Sequence, residues 1–286
     1  MAGARFLMIG NIQQAAAAVH AADALLFTAG AGMGVDSGLP YFRGNEGFWN
    51  AYPIAARMGL SFAQMANPLW FKEDPELAWA FYGHRLNLYR RTTPHAGFST
   101  LLRWATQKEY FVFTSNVDGH FQKSGFDSER IEECHGSIHY FQCVEGCSDS
   151  IWDASIEQVV VDESAFRALP PLPRCRHCGG LARPNILMFG DLSWIAGRSN
   201  AQRQRLQDWL QQLGKISARL AVIELGAGTA IPTVRHTSEA TTRRWGGKLI
   251  RINLRESETS AGHFGLAARC LDGIQELDIV LKQFHI

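Results

Sequence analysis

The sequence lacks the features that mark several specialised classes of protein. No apolar run approaches the roughly 20 residues that a membrane-spanning helix needs. The formal net charge is only +1 at pH 7, so composition predicts no nucleic acid, membrane surface or acidic partner. The first residues carry a short apolar patch without a cleavage-site pattern, which predicts no signal peptide. What is present, 286 residues with 46% hydrophobic and 19% charged side chains, is typical of a soluble globular enzyme.

Cysteine is scarce as well, because six thiols in 286 residues are too few for a disulfide-stabilised scaffold. Four of the six form two close pairs, Cys143-x3-Cys147 and Cys175-x2-Cys178. Two such pairs can supply the four thiolates of a closed, tetrahedral zinc site, which stabilises a fold and does no chemistry. We therefore predict a structural zinc ion at these four cysteines and a reducing, cytoplasmic location.

The cysteines also permit other interpretations. The four could be unrelated buried thiols, or one pair could be redox-active, although neither pair opens a helix after a strand. His139 and His177 lie close to the pairs in sequence, but four thiolates complete a tetrahedral site without them. Cys134 and Cys270 remain, and small core or site-lining roles are predicted for both.

Apolar runs of strand length alternate with helical segments along most of the chain. Strands are predicted at 24–29, 110–114, 131–134, 220–225 and 248–253, and the same pattern resumes at 185–191. Helices are predicted at 11–23, 54–66, 75–91, 200–214 and 273–284, with a loop at 44–50. Another helix is predicted to follow a loop at 94–98 and to end near residue 106. This alternation predicts an α/β fold built on a doubly wound parallel, Rossmann-like sheet.

Two parts of the chain interrupt that pattern and predict a smaller second domain. Residues 138–182 contain the paired cysteines and a proline-rich stretch, with few long apolar runs. We predict that they form a zinc-binding module and that 49–91 form a helical insertion of the same small domain. The Rossmann-like domain is then assigned to residues 1–48, 92–137 and 183–286.

The first predicted strand runs directly into the glycine-rich turn Gly30-Ala31-Gly32-Met33-Gly34. Glycines permit a tight turn and let a ligand lie against the main chain. The free N–H groups of such a turn, with the start of a helix behind it, suit a phosphate. The spacing differs from G-x-G-x-x-G, because position 35 is valine, so an ordinary turn is the alternative.

Polar residues follow two further predicted strands where each strand ends. Ser115-Asn116-Val117-Asp118 follow the second strand, and His135-Gly136 follow the third. Because the carboxyl ends of parallel strands meet at one edge of an open sheet, these residues and the glycine turn predict one site.

Taken in order, these motifs resemble those of the sirtuins, the NAD-dependent protein deacylases. Gly30–Arg43 is similar to the family's Gly-Ala-Gly…Ser-Gly-Ile-Pro-Asp-Phe-Arg loop. Thr114–Asp118 is similar to Thr-Gln-Asn-Ile-Asp, and His135-Gly136 to the catalytic His-Gly. The resemblance covers nearly the whole chain and continues through the four cysteines, Arg183-Pro184, Phe189-Gly190-Asp191, Gly226-x-Gly228 and Ile252-Asn253.

The resemblance implies transfer of an acyl group from lysine to ADP-ribose, with release of nicotinamide. His135 and Asn116 would be catalytic, His135 as the general base for a ribose hydroxyl. Phe42 would shield a cationic intermediate from water, Arg43 would order its loop, and Asn253 would meet the adenosine ribose. The cofactor-binding residues implied by the resemblance are Gly30, Ala31, Gly32, Gly34, Phe42, Arg43, Ser115, Asn116, Val117, Asp118, His135, Gly226, Gly228, Thr229, Asn253 and Cys270.

Three residues depart from the family's pattern near the predicted NAD site. Gly34 stands where the family has serine, Tyr41 where it has aspartate, and Ser115 where it has glutamine. These departures leave two alternatives to a deacylase with an acyl-lysine protein substrate. One is an NAD glycohydrolase or ADP-ribosyltransferase on the same scaffold, and the other is a sensor that binds NAD without turnover.

One helical motif concerns the acyl group. Tyr82-x-x-Arg85 places a phenol and a guanidinium on one helix face. Its context, Trp79-x-Phe81-Tyr82-x-x-Arg85, resembles the sirtuin branch that removes succinyl, malonyl or glutaryl groups. A guanidinium can hold a carboxylate through two parallel hydrogen bonds, so Tyr82 and Arg85 are predicted to bind the acyl substrate. The alternative is an ordinary amphipathic helix with an exposed arginine.

Overall fold

The computed structural model describes residues 2–40 and 44–285. The α-helices in these ranges are α1 (Ala2–Ala21), α2 (Gly32–Val35), α3 (Gly44–Ala51), α4 (Pro53–Arg57), α5 (Phe62–Met65), α6 (Trp70–Glu73), α7 (Pro75–Arg91), α8 (Ala96–Ala105), α9 (His120–Lys123), α10 (Gly197–Lys215), α11 (Thr233–Trp245) and α12 (Cys270–Leu281). Short 3-10 helices cover Ser128–Arg130 and Lys282–His285. The strands are β1 (Ala24–Ala29), β2 (Glu109–Thr114), β3 (Ile131–Glu133), β4 (Gly136–Cys143), β5 (Ile151–Asp153), β6 (Val160–Asp162), β7 (Arg167–Leu169), β8 (Ala182–Ile186), β9 (Leu220–Leu225), β10 (Lys248–Ile252) and β11 (Phe264–Leu266).

A six-stranded parallel sheet with the order β11-β10-β9-β1-β2-β3 forms the centre of the larger domain. The chain builds β1, β2 and β3 outward on one side and then returns to place β9 on the other side of β1. The strand order therefore reverses between β1 and β9. In open α/β sheets a ligand binds outside the carboxyl ends of the strands at such a switch point.

Helices cover both faces of this sheet because β1 is apolar on both sides. Leu25 and Phe27 face one hydrophobic cluster, which includes residues of α1, α8 and α12. Leu26 faces a second cluster, which includes residues of α10 and α11. All six residues of β1 are buried, as is typical of a central parallel strand. The predicted doubly wound α/β fold is confirmed.

The smaller domain combines helices α3 to α7 with a three-stranded sheet, ordered β5-β4-β8, and the two-stranded ribbon β6-β7. Its longest helix, α7, begins as predicted, with Asp74 accepting a hydrogen bond from the Leu77 N–H at 3.1 Å and proline at the first helical position. Trp79 of α7 packs on Phe141 of β4, with 5.1 Å between ring centroids. This contact joins the helical part of the small domain to its sheet.

Two local predictions on either side of Tyr52 were wrong. The stretch predicted as a loop at 44–50 lies within α3, where the buried Phe48 packs on Tyr52 and Phe81. The helix predicted at 54–66 is divided into α4 and α5, because Gly59 between them has a φ of +68°. Tertiary burial in the first case and a backbone turn in the second outweigh helical propensity.

The return of the α/β pattern was predicted at 185–191, but this stretch adds no strand to the parallel sheet. β8 pairs antiparallel with β4, and residues 187–191 form a loop. The predicted domain boundaries at 137/138 and 182/183 fall inside β4 and β8. No described helix combines the length and the apolarity that crossing a membrane requires.

Candidate functional site

A cavity of about 580 Å³ lies at the switch point, between the carboxyl ends of β1, β2 and β9 and the small domain. Predicted site residues from distant parts of the chain line it, and these are Gly30, Ala31, Gly34, Tyr82, Arg85, Ser115, Asn116, Val117, Asp118, His135, Gly226 and Gly228. The structure therefore brings together residues that the sequence analysis assigned to the cofactor, the catalytic step and the acyl group.

The glycine turn after β1 packs against the loop after β9. A Cβ atom on Gly32 would come within 2.7 Å of the Gly226 Cα, and one on Gly30 within 2.8 Å of the Ala227 Cα. The Gly30 N–H donates to the Leu225 carbonyl at 2.9 Å, and the Gly32 N–H donates to the Gly226 carbonyl at 3.0 Å. These two glycines are thus explained by close approach of two backbones.

The expectation that the turn presents several free N–H groups to a phosphate needs correction. The amides of Gly30, Gly32, Met33 and Gly34 all donate to backbone carbonyls. Within the part of the chain that the structure describes, only the Ala31 N–H of this turn has no hydrogen-bond acceptor. A phosphate at this turn would therefore meet one backbone donor rather than a cradle of them.

The loop after β2 is held by hydrogen bonds at both of its polar side chains. Asn116 donates its amide to the Gly30 carbonyl at 3.0 Å, which ties the loop to the glycine turn. The Asp118 carboxylate accepts from the His120 N–H at 2.9 Å. His139 Nε2 lies 2.9 Å from the Asp118 carbonyl oxygen, so that histidine fixes this loop and takes no part in the cysteine cluster.

His135 is placed by the sharp passage from β3 to β4. Gly136 has a φ of +77°, and a Cβ atom there would lie 2.1 Å from the Asn185 carbonyl oxygen, so only glycine fits. The His135 carbonyl accepts from the Leu187 N–H at 3.0 Å. Burial lowers the pKa of His135 below its usual value, although a hydrogen bond to the Ser115 backbone opposes the shift. The imidazole is therefore neutral at pH 7 and can accept a proton.

Tyr82 and Arg85 lie side by side in the wall of the cavity. The Tyr82 hydroxyl is buried, and it has no hydrogen-bond partner among the described residues. Burial raises the pKa of Tyr82 to about 12, with Arg85 opposing the shift, so the phenol stays protonated. Arg85 is only 6% exposed, which contradicts the alternative of an ordinary exposed arginine.

Gly32 does not line the cavity, and neither do three other predicted cofactor-binding residues. Asn253 is buried, and its amide donates to the Ala227 carbonyl at 2.7 Å while its oxygen accepts from two following N–H groups. Thr229 is exposed and donates from its N–H and hydroxyl to the Glu256 carboxylate. Cys270 is buried in the hydrophobic cluster that covers the sheet, and burial raises its pKa.

The roles that the resemblance implied for Phe42 and Arg43 concern residues outside those the structure describes, as does the departure at Tyr41. Sequence reasoning missed much of the apolar lining, namely Leu39, Pro40, Phe62, Ile186, Leu187, Met188, Phe189 and Ile231. It also missed Tyr89, which lines the cavity four residues after Arg85. For Tyr89 the helical spacing was a usable signal, whereas most of the apolar lining comes from loops without a periodic pattern.

The four paired cysteines come together in the small domain. Their sulfur atoms all lie within 4.8 Å of one another, with 3.7 Å between Cys143 and Cys178 and 3.6 Å between Cys147 and Cys175. A tetrahedron with zinc–sulfur bonds of about 2.3 Å has edges of roughly 3.8 Å, so the cluster fits a zinc ion. Four sulfurs fill the coordination sphere, which assigns such an ion a structural role.

Comparison with known proteins agrees with this geometry. A protein of Archaeoglobus fulgidus named NAD-dependent protein deacylase 1 is 28% identical over 257 residues, which cover 88% of this chain and 91% of that protein. An NAD-dependent protein deacylase of Thermococcus kodakarensis is 30% identical over 237 residues, which cover 82% and 80%. A solved structure of a Sir2 homologue in complex with NAD has the same fold, with a TM-score of 0.70 and 22% identity over 95% of this chain and 94% of that one. Residues 30–208 match the sequence profile of the Sir2 family. The chain belongs to the Sir2 family.

Proposed function

We propose that this protein is an NAD-dependent protein-lysine deacylase, which transfers the acyl group to ADP-ribose and releases nicotinamide. The observation that carries the proposal is the single cavity at the β1/β9 switch point, lined by Asn116, Asp118 and His135 together. Its volume of about 580 Å³ falls in the range of cofactor pockets, roughly 300–1,000 Å³. The names of the relatives support the same activity.

The residues of the cavity divide the work between binding and proton transfer. NAD, when bound, would supply a ribose carbon for the acyl oxygen and nicotinamide as the leaving group. Asn116 and Asp118, fixed by their hydrogen bonds to the Gly30 carbonyl and the His120 N–H, orient the nicotinamide half. The neutral His135 ring accepts a proton from a ribose hydroxyl. The apolar residues Leu187, Met188 and Phe189 line the same space.

We further propose that the preferred acyl groups end in a carboxylate, as in succinyl-, malonyl- or glutaryl-lysine. Tyr82 and Arg85 line the same cavity as His135, on the side of the small domain. A buried guanidinium beside a buried phenol favours a ligand with negative oxygens, and the Tyr82 phenol has no hydrogen-bond partner among the described residues. An acetyl group carries no carboxylate for these two side chains to bind.

We place this reaction in the cytoplasm and on protein substrates. The cytoplasmic location rests on the four cysteines, since thiolates that hold zinc persist in a reducing compartment. With a net charge of +1, the chain has no general field that would attract nucleic acid.

The proposal is tested by measuring nicotinamide release from NAD by the purified protein. The assay compares acetyl-, succinyl- and glutaryl-lysine peptides of one sequence with a no-peptide control, and a His135→Ala variant serves as the blank. We expect release only with acylated peptide, together with free lysine product, and faster turnover of the acidic acyl groups.

Each alternative predicts a different result in the same assay. Equal release with and without peptide would assign the protein to the NAD glycohydrolases or ADP-ribosyltransferases. No release with any peptide would favour a sensor. Release that is fastest with acetyl-lysine would support the deacylase and refute the preference for acidic acyl groups.

A further inference from the structure

Three polar side chains of α7 lie on one face of the helix and line the cavity. Tyr82, Arg85 and Tyr89 are separated by three and then four residues, the spacing that places side chains above one another on a helix. Tyr82 and Arg85 were predicted to bind the acyl substrate, whereas no function was predicted for Tyr89. Tyr89 is only 5% exposed and lines the cavity.

The hydroxyl of Tyr89 is bonded to the guanidinium. The Nε–H of Arg85 donates to the Tyr89 oxygen at 3.1 Å. The Arg85 guanidinium carbon lies 5.5 Å from the centroid of the Tyr89 ring and 5.6 Å from that of the Tyr82 ring. The guanidinium therefore contacts both tyrosine rings, as well as the Phe81 ring at 5.2 Å, and the Tyr89 hydroxyl fixes its Nε edge.

This hydrogen bond has two consequences for a carboxylate. Because Nε is bonded to Tyr89, a carboxylate would approach Arg85 from the side of its terminal nitrogens. Because the Tyr89 oxygen accepts a hydrogen bond from Arg85, its own hydroxyl proton is available for donation. Burial also raises the pKa of Tyr89, so the hydroxyl keeps that proton.

We propose that Tyr89 is a specificity-determining residue, and that its hydroxyl, the Tyr82 hydroxyl and the Arg85 guanidinium form a three-residue site for the terminal carboxylate of an acyl chain. The proposal rests on the preference for acidic acyl groups and deepens it. Together the three groups can bind a carboxylate through two phenolic O–H donors and the positively charged guanidinium. A longer acyl chain brings its carboxylate to this site, whereas an acetyl group has none to offer.

The experiment compares Tyr89→Phe with the unaltered protein, because this change removes the hydroxyl and keeps the ring. The readout is the ratio of kcat/KM for succinyl-lysine to kcat/KM for acetyl-lysine peptides of one sequence. We expect Tyr89→Phe to lower this ratio about tenfold through KM, since one hydrogen bond to a charged group is lost. Tyr140→Phe is the matched control, because that ring also contacts an arginine, with Arg198 4.0 Å from its centroid, but does not line the cavity.

The outcomes separate this proposal from the one on which it rests. If the unaltered protein prefers succinyl-lysine and Tyr89→Phe leaves the ratio unchanged, Tyr89 has no role in specificity and the acidic preference stands. If the unaltered protein shows no such preference and Arg85→Met changes nothing, both proposals are refuted.

A second measurement does not depend on the variant folding. In a structure of the unaltered protein with a succinyl-lysine peptide, the Tyr89 oxygen should lie within about 3.2 Å of a carboxylate oxygen. A carboxylate that contacts only Tyr82 and Arg85 would overturn the proposal.

Discussion

Gly32 and Gly226 lie in contact through their backbones, where the turn after β1 meets the loop after β9. A Cβ atom on Gly226 would come within 2.6 Å of the Gly32 Cα, and the Gly32 N–H donates to the Gly226 carbonyl at 3.0 Å. Gly226 also has a φ of +61°, a conformation that favours glycine. The switch point of the sheet is therefore closed by two glycines that no other residue can replace without moving a strand end.

The first prediction concerns this contact. Gly226→Ala should lower the free energy of unfolding by more than the roughly 1–2 kcal/mol that a left-handed conformation costs a non-glycine residue. The excess arises because the new methyl group meets backbone atoms, which cannot rotate away. Urea unfolding and an NAD titration would measure the loss of stability and of binding.

Gly246→Ala provides the matched control for that substitution. Gly246 has a φ of +66°, but a Cβ atom there would meet nothing within 4 Å. The control should show only the conformational cost and retain NAD binding. Equal losses for the two variants would show that the contact between Gly32 and Gly226 contributes nothing.

The sequence could identify these glycines but not the reason for them. Sequence spacing suggested that Gly30 and Gly32 leave room for a phosphate, whereas the structure shows room for the loop after β9. Contacts between two loops far apart in sequence follow from strand order, and periodicity carries no information about that order. The residues that follow single strands, Asn116, Asp118 and His135, line one cavity, and each position depends only on where its own strand ends.

The second prediction concerns the base. Since burial lowers the pKa of His135, its ring is neutral above about pH 6.5 and becomes protonated only as the pH falls further. The kcat/KM for an acyl-lysine peptide should therefore be flat between pH 7 and 8 and should fall at lower pH. Rates measured at saturating NAD from pH 8 down to values well below about 6.5 would show this fall.

Substitution tests the same residue directly. His135→Ala should abolish deacylation while zinc content and melting temperature remain those of the unaltered protein. His236→Ala, a change on α11 outside the cavity, is the control and should keep full activity. Turnover by His135→Ala within tenfold of the unaltered protein would exclude His135 as the base.

The third prediction concerns the buried ion pair between Arg183 and Asp191, which are 1% and 0% exposed at their side chains. Besides binding Arg183, the Asp191 carboxylate accepts from the Met188 N–H at 3.3 Å and the Ser193 N–H at 3.1 Å. It thereby holds the loop that supplies part of the cavity wall. Asp191→Asn should destabilise the fold by about 3–5 kcal/mol, because the arginine is left as an unpaired buried charge.

The functional effect of Asp191→Asn should be a higher KM for peptide, since the 187–189 wall shifts. Asp23→Asn is the control, because the Asp23–Arg219 pair is exposed and exposed pairs contribute little to stability. Urea unfolding of both variants gives the comparison. A similar small loss in each would contradict a supporting role for the buried pair.

Five of the six strands of the parallel sheet could be predicted, most of them as short apolar runs, whereas β11 was missed. The pairing of β8 could not be predicted. Ala182–Ile186 has the length of a strand of the parallel sheet, but it pairs with β4 in the small domain. Likewise α3 is held by Phe48 in the aromatic core, although its glycines and asparagines suggest a loop. In both cases the decisive contacts are made by distant residues, and local propensity does not encode them.

The fourth prediction concerns stability in acid. His95 accepts from the Gly97 N–H at one ring nitrogen and lies 3.0 Å from the Met33 carbonyl at the other, so it is buried as the neutral ring. His120 is 1% exposed, with no partner at either nitrogen among the residues described. Burial lowers the pKa of both rings.

Protons therefore bind these two histidines more readily in the unfolded chain than in the fold. Their contribution to stability is present above the unfolded pKa near 6.5 and is lost as the pH falls toward the folded pKa. Each histidine should reduce the free energy of unfolding by up to about 1.4 kcal/mol per pH unit in that window. His120→Phe should remove one such contribution. Urea unfolding at pH 8, 6.5 and 5 would test this, and an unchanged slope for His120→Phe would refute it.

The fifth prediction concerns the cysteine cluster. Cys143 ends β4 and Cys178 lies in the turn before β8, so a metal ion would tie together the ends of two paired strands. The Gly180 N–H lies 3.4 Å from the Cys178 sulfur, an approach that suits a thiolate. We expect one zinc ion per chain by elemental analysis, and none in Cys178→Ser. Cys134→Ser should keep the zinc, because Cys134 lies outside the cluster.

Removal of the zinc with a strong chelator should unfold the 138–182 module, because a site made of four thiolates contributes directly to folding. Loss of zinc should also weaken binding of the acyl group at Tyr82 and Arg85. Both residues lie on α7, where Trp79 packs on Phe141 of β4. Melting curves with and without chelator, together with binding of a succinyl-lysine peptide, would show both effects. A melting curve that does not change when the metal is lost would contradict the structural role, because an ion that holds β4 and β8 together cannot be removed without lowering the stability of the sheet between them.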